Sequence, residues 1–209
     1  RAVARRVDDV DPALLRMLVA YEDRRYESHS GVDVLALGRA AWQLAANGRI
    51  VSGASTLSMQ VARLIEPRAD RSLSAKLLQM VRAIQIERRL TKSQIIDLYL
   101  NIAPYGGNLE GARAASLAWF GKEPKRLTLD EAALLVVLPQ SPERNRPDRD
   151  SRAARAARDK VLKRLGDLEV SGQQLELPAL LPQGGWPALP ADLARHSAEA
   201  TRPRHRQQP

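Results

Sequence analysis

Residues 11–33 read DPALLRMLVAYEDRRYESHSGVD, and the fold is decided there. Asp11 can cap a helix through its carboxylate, and Pro12 suits the first helical position, where its missing N–H has no partner to lose. Leu14, Leu15, Leu18 and Val19 then recur at the spacing of one apolar stripe. Glu22 falls four residues after Leu18, so it closes that stripe instead of lying on the wet face. Immediately beyond, Asp23, Arg24, Arg25, Glu27 and His29 crowd a helix end with charge before Gly31 and Asp33 redirect the chain.

Asp33 starts a second helix through Val34, Leu37, Ala41, Trp42 and Leu44, and Asn47-Gly48 stops it because both residues tolerate the left-handed cap. Ser52-Gly53-Ala54-Ser55-Thr56 is a small-residue turn into another helical run. Pro67 to Ser72 is polar, contains a helix breaker and reads as a mobile loop. Helical periodicity returns from Ser74 to Leu90. Thr91 with Gln94, and Thr128 with Glu131, then form capping boxes opening runs to Leu100 and Leu138. Gly111 to Phe120 is an Ala-rich helix closed by Gly121. Ala153, Ala157, Val161 and Leu165 line one side of a basic amphipathic helix predicted to end at Gly166. After Gly172, Pro, Gln and Gly accumulate and periodicity fades, which reads as a linker.

Composition agrees with a helical domain. The 209 residues allow one domain plus a tail, and an aromatic share of 4% with abundant Ala and Leu favours helices over a β-sandwich. The predicted fold is all-α. A formal net charge of +9 directs the surface toward polyanions, whether nucleic acid, an anionic leaflet or a diphosphate. No cysteine is present, which removes disulfides and thiolate metal sites. The chain opens with Arg and has no apolar run near the roughly 20 residues of a membrane span, as expected of a piece cut just after a membrane anchor.

Three polar clusters carry chemistry. Partial burial of Glu22 beside Leu18 would raise its pKa toward a range useful for proton transfer; the plainer reading is a set of solvated helix-end charges. Gly53 to Thr56, with Gln60 and Arg63 one and two turns on, forms an anion cradle at a helix N-terminus, or simply a Ser/Thr cap. Lys76, Gln79, Ala83 and Glu87 share one helical face, which lines a cleft or faces water.

Taken in order, these clusters resemble the five motifs of the family 51 glycosyltransferases of peptidoglycan synthesis, the glycosyltransferase domains of class A penicillin-binding proteins. Glu22-Asp23-Arg24-Arg25-Tyr26 with His29, Gly31 and Asp33 is similar to the first motif and Gly53–Thr56 with Gln60 to the second. Lys76 to Glu87 looks like the third, Thr91-Lys92 with Leu98-Tyr99-Leu100-Asn101 like the fourth, and Gly111 to Lys122 like the fifth. The resemblance spans roughly residues 10 to 165. It implies a glycosyltransferase domain over residues 1–166 and a linker over 167–209 leading toward a transpeptidase domain. It also implies a lysozyme-like helical lobe with a smaller membrane-proximal jaw.

The same resemblance implies the activity: lipid II and a nascent glycan strand as substrates, β-1,4 linkage with inversion, and release of polyprenyl diphosphate. Glu22 would be the general base and Asp23 its orienting partner. Arg24 and His29 would shape the turn and, with Gly53, Ser55 and Thr56, face substrate. Gln60, Arg63 and Lys76 would face phosphates or sugars, and Gln79, Glu87 and Asn101 complete the substrate-binding set. Placement on the periplasmic face of the inner membrane and contacts with other cell-wall synthesis proteins follow from the family. A divalent cation, Mg2+ or Mn2+, is implied too, but Gln79 stands where the family usually has a glutamate, and Ala75 replaces an arginine. Gln140 occupies a position where many relatives carry lysine, and Asn145-Arg146-Pro147 replaces a common Tyr-Asn-Pro.

Three other functions fit parts of the pattern. A lysozyme-like hydrolase or lytic transglycosylase would use a lone glutamate as acid but needs no diphosphate cradle. A non-catalytic scaffold would retain the fold. A nucleic-acid-binding module is disfavoured, because aromatics are few and the Glu22-Asp23 pair repels phosphate.

Overall fold

The computed structural model describes residues 9–48, 53–67 and 72–170, the last four by backbone alone. The described chain is all-α, as the sequence predicts. Its helices are α1 (Pro12–Glu22), α2 (Val34–Asn47), α3 (Leu57–Ile65), α4 (Leu73–Glu87), α5 (Lys92–Ile102), α6 (Ala112–Phe120), α7 (Leu129–Val137) and α8 (Ser151–Val170). Short 3₁₀ turns span Tyr26–Ser28 and Leu138–Gln140, and the described residues form no strand, only one antiparallel bridge between Pro104 and Glu110. No described helix is long and apolar enough to cross a membrane. The 67–72 loop falls mostly, and the 171–209 tail wholly, outside the described residues.

Helix ends follow local chemistry. Asp11 Oδ1 accepts from Ala13 N at 2.9 Å with Pro12 at the first helical position, and both capping boxes close on both sides. Gly48 and Gly121 take the left-handed cap conformation that ends α2 and α6. At α8 the expectation fails: the helix continues through Gly166 to Val170. A glycine inside a helix costs about 1 kcal/mol, too little to stop a helix already packed through Val161 and Leu165.

The main lobe is built from α1, α3, α5, α6, α7 and α8. Their shared core includes Leu14, Leu18, Tyr26, Leu57, Ile95, Ile96, Tyr99, Leu135 and Leu138, all buried. The second part of the molecule is thinner. On α2 only Ala36 and Ala40 are buried, whereas Val34, Trp42 and Leu44 are exposed, Trp42 at 74%. On α4, Leu73, Leu77 and Val81 form an outward stripe while Ala83 and Ile86 face in.

The joint between the parts is Gly31. Its φ is +96°, and a Cβ placed there would lie 2.7 Å from the Ala83 carbonyl carbon. Only a glycine lets the α1–α2 connection pass against α4. Gly31→Ala is therefore expected to destabilise the protein by roughly 2–4 kcal/mol, combining left-handed strain and overlap with backbone, as read by urea denaturation.

Candidate active site

Glu22 is the last residue of α1, so the helix that fills the core also aims this carboxylate. Two amides hold it. Gln60 Nε2, from α3, donates to Oε2 at 2.8 Å, and Gln140 Nε2, from the turn after α7, donates to Oε1 at 2.6 Å. Burial raises the Glu22 pKa above the ordinary carboxylate value; the two amide bonds and the nearby Arg164 charge oppose that shift, and Asp23 adds to it. The partial burial expected from Leu18 spacing is thus real, and the group is poised to accept a proton.

Asp23 is buried and does different work. Its Oδ2 accepts from Leu57 N at 2.9 Å, the first residue of α3, and both oxygens lie 3.0–3.1 Å from His29 Nε2. A carboxylate only accepts, so His29 Nε2 carries the hydrogen. The other face of the imidazole looks toward Glu87, with Nδ1 and Oε1 3.9 Å apart. Glu87 also accepts from Ser58 Oγ at 2.5 Å and pairs with Lys92 Nζ at 2.7 Å. Lys92 donates in turn to His29 O at 2.6 Å and sits 4.4 Å above the Tyr26 ring, whose hydroxyl donates to Lys92 O. His29 and Glu87, expected to face substrate, therefore belong to a buried polar network behind the base.

The anion cradle is partly as expected. Gly53 and Ser55 line a cleft of about 780 Å³ together with Glu22, Arg24 and Arg39. Thr56 is buried: it caps α3 by accepting from Met59 N and donates to Gly31 O at 2.6 Å, so its hydroxyl is committed to structure as the plain cap reading has it. Lys76 Nζ bonds Ser55 Oγ and lies 3.1 Å from Gln79 Oε1, which joins the second and third clusters. Burial, reinforced by the Arg63 charge, lowers the Lys76 pKa. The Asn101 side chain donates to Asp97 O at 2.7 Å within α5, and its backbone carbonyl lies against Gly111 just before α6.

Other contributors to the site were not read as site residues from sequence. Gln140 stood out only as a departure from a lysine, and its bond to Glu22 spans 118 positions. Arg16, Arg39 and Arg164 line the cleft, and the Arg164 guanidinium lies 5.0 Å from the centre of the Tyr21 ring. Arg24 has its pKa lowered by burial and by the Arg164 and Arg39 charges, so three guanidinium groups gather on one wall. Of these, only Arg164 had a signal in the sequence, the basic face of α8.

Residues 1–166 match the transglycosylase family. The chain belongs to that family. It is 50% identical over 159 residues, or 76% of its length, to penicillin-binding protein 1C of Escherichia coli, of which those residues make up 20%. It is 37% identical to penicillin-binding protein 1A of Pseudomonas aeruginosa over 81% of the chain and 21% of that protein. The 1A protein of Aquifex aeolicus is 38% identical over 76% and 22%. The chain thus spans about a fifth of the length of these relatives.

At Gln79, where the resemblance implies a cation ligand, the side chain is neutral. Its Oε1 lies 3.1 Å from the Lys76 ammonium, and among the described residues no three or more His, Cys, Asp or Glu side chains gather closely enough to hold a metal ion.

Removing one member of the buried network should be costly. Lys92→Met leaves Glu87 without its cation and is expected to cost about 3 kcal/mol. Lys92→Met/Glu87→Leu should cost less than the sum of the single changes in a denaturation double-mutant cycle.

Proposed function

We propose that this chain is a peptidoglycan glycosyltransferase domain that polymerises lipid II into β-1,4-linked glycan strands, with Glu22 as general base. The observation that carries the reading is a half-buried, amide-held carboxylate in a cleft that Arg16, Arg24, Arg39 and Arg164 also line. Glu22 takes the proton of the acceptor sugar hydroxyl, and the freed oxygen attacks the donor anomeric carbon from the face opposite the diphosphate. The bond from that carbon to the diphosphate oxygen breaks, its electron pair leaves with the diphosphate, and the configuration inverts.

The positive groups fit the leaving group's chemistry. Lys76 is held by two neutral acceptors, Ser55 and Gln79, so no carboxylate offsets its charge there, and Arg63 stands near enough to depress its pKa. Arg24, Arg39 and Arg164 give the cleft a second cationic wall. In this reading Lys76 supplies the charge that a metal would otherwise bring beside Gln79. The rate is therefore expected to persist when divalent ions are removed with EDTA, measured by lipid II consumption. Gathered cations also favour polymerisation over hydrolysis, which has no departing diphosphate to stabilise.

The outward apolar residues point to the membrane surface that holds a polyprenyl-linked substrate, the periplasmic face of the inner membrane. Leu73 is 85% exposed, and Leu77 and Val81 continue its stripe at four-residue steps. Each such side chain gains about 1.5–3 kcal/mol on leaving water. Leu73→Ser/Leu77→Ser should lower co-sedimentation with anionic lipid vesicles several-fold without lowering the melting temperature.

Glu22→Gln tests the base directly. Turnover of lipid II is expected to fall by at least about a hundredfold. A carboxyl whose folded pKa is raised loses stability as pH climbs from its unfolded value through its folded one, so removing the charge should leave melting at neutral pH equal or higher. Full activity in this variant, or strand shortening in place of lipid II consumption, overturns the reading.

A further inference from the structure

Glu22 is faced by charged and titratable groups from several elements: Tyr21 and Asp23 beside it in the chain, Tyr99 of α5 and Arg164 of α8. Its two direct donors, Gln60 and Gln140, are neutral amides, one on each oxygen. An ionised carboxylate has about four acceptor positions, so this leaves lone pairs free to receive a substrate proton while the plane of the group stays fixed.

Gln140 comes from a stapled arm. It ends the 3₁₀ turn whose Leu138 and Pro139 are buried, and Ser141 N donates to Leu138 O at 3.2 Å. Asn145 then ties the following loop back, its N donating to Ser141 O at 2.9 Å and its Nδ2 to Val137 O. The backbone that presents the amide is therefore fixed, whereas the residue itself is exposed and reaches Glu22 through its amide. A change of side chain at 140 opens no hole in the core.

We propose that Gln140 is the positioning residue of the base: it sets the rotation of the Glu22 carboxylate and, being neutral, leaves that carboxylate a better proton acceptor than a cationic donor in its place would. The inference rests on Glu22 acting as base. Its physical logic is simple. A hydrogen bond to the charged form favours that form modestly, whereas a full positive charge within 4–6 Å favours it strongly and makes the carboxylate a weaker base. Burial raises Glu22's proton affinity, and an amide at 140 offsets only part of that rise. The site thus obtains a fixed geometry while keeping the basicity that the reaction uses.

The test separates this inference from the activity. The Glu22 carboxyl is titrated by carbon-13 NMR in the purified protein labelled at glutamate, its resonance assigned by its loss in Glu22→Gln. Gln140→Lys is expected to lower the Glu22 midpoint by about one unit or more, and Gln140→Leu to raise it. With lipid II as substrate, the acidic limb of the pH–kcat profile should move in the same directions, and Gln140→Leu should lower kcat about tenfold while KM stays within about twofold. Midpoints unmoved in both folded variants overturn the inference, even if the wild type polymerises lipid II. Midpoints that move as stated in a protein with no polymerase activity uphold the Gln140 contact and overturn the proposed function instead.

Discussion

The structure depends first on the Asp23 carboxylate. Set just past the end of α1, it accepts the leading amide of α3 and the His29 ring, and so fixes where one helix stops relative to where another begins. Without that pairing nothing would oblige Gln60, one turn into α3, to meet Glu22. A buried charge is tolerated there because each oxygen has a donor, and the cost of desolvation is met by hydrogen bonds instead of water. Structural and chemical roles are thus divided between neighbours: Asp23 is spent on architecture, and Glu22 keeps free lone pairs.

Behind Asp23 a chain of polar contacts passes through His29, Glu87 and Lys92, from the α1–α2 connection to the junction of α4 and α5. Within it the Lys92–Glu87 ion pair is only weakly screened, because the Glu87 side chain is 6% exposed. In front, Arg16, Arg24, Arg39 and Arg164 line the cleft together with the Glu22 carboxylate. In the proposed reaction those arginines would stabilise the anionic leaving group.

Much of this was legible in the sequence because it is local. The Asp11-Pro12 cap, the Thr91 and Thr128 boxes and the αL glycines at 48 and 121 act within one turn, so short-range chemistry determines them. Glu22's burial was readable from its distance to Leu18. The Gln140 contact was not, because residues far apart in sequence meet only through packing of α1 on α7. Likewise the Arg164 contribution depends on where α8 crosses α1, and the commitment of Thr56, His29 and Glu87 to buried bonds depends on α4 passing over Gly31. Gly166 was misread as a stop because tertiary packing of α8 outweighed a weak local preference.

The most direct measurement of the central claim is a crystal structure of the protein with a non-reactive glycolipid diphosphate in the cleft. The account predicts a sugar hydroxyl within hydrogen-bonding distance of a Glu22 oxygen, with the phosphates between Lys76 and the wall formed by Arg24, Arg39 and Arg164. Phosphates bound elsewhere, with Glu22 turned from the sugar, would contradict it.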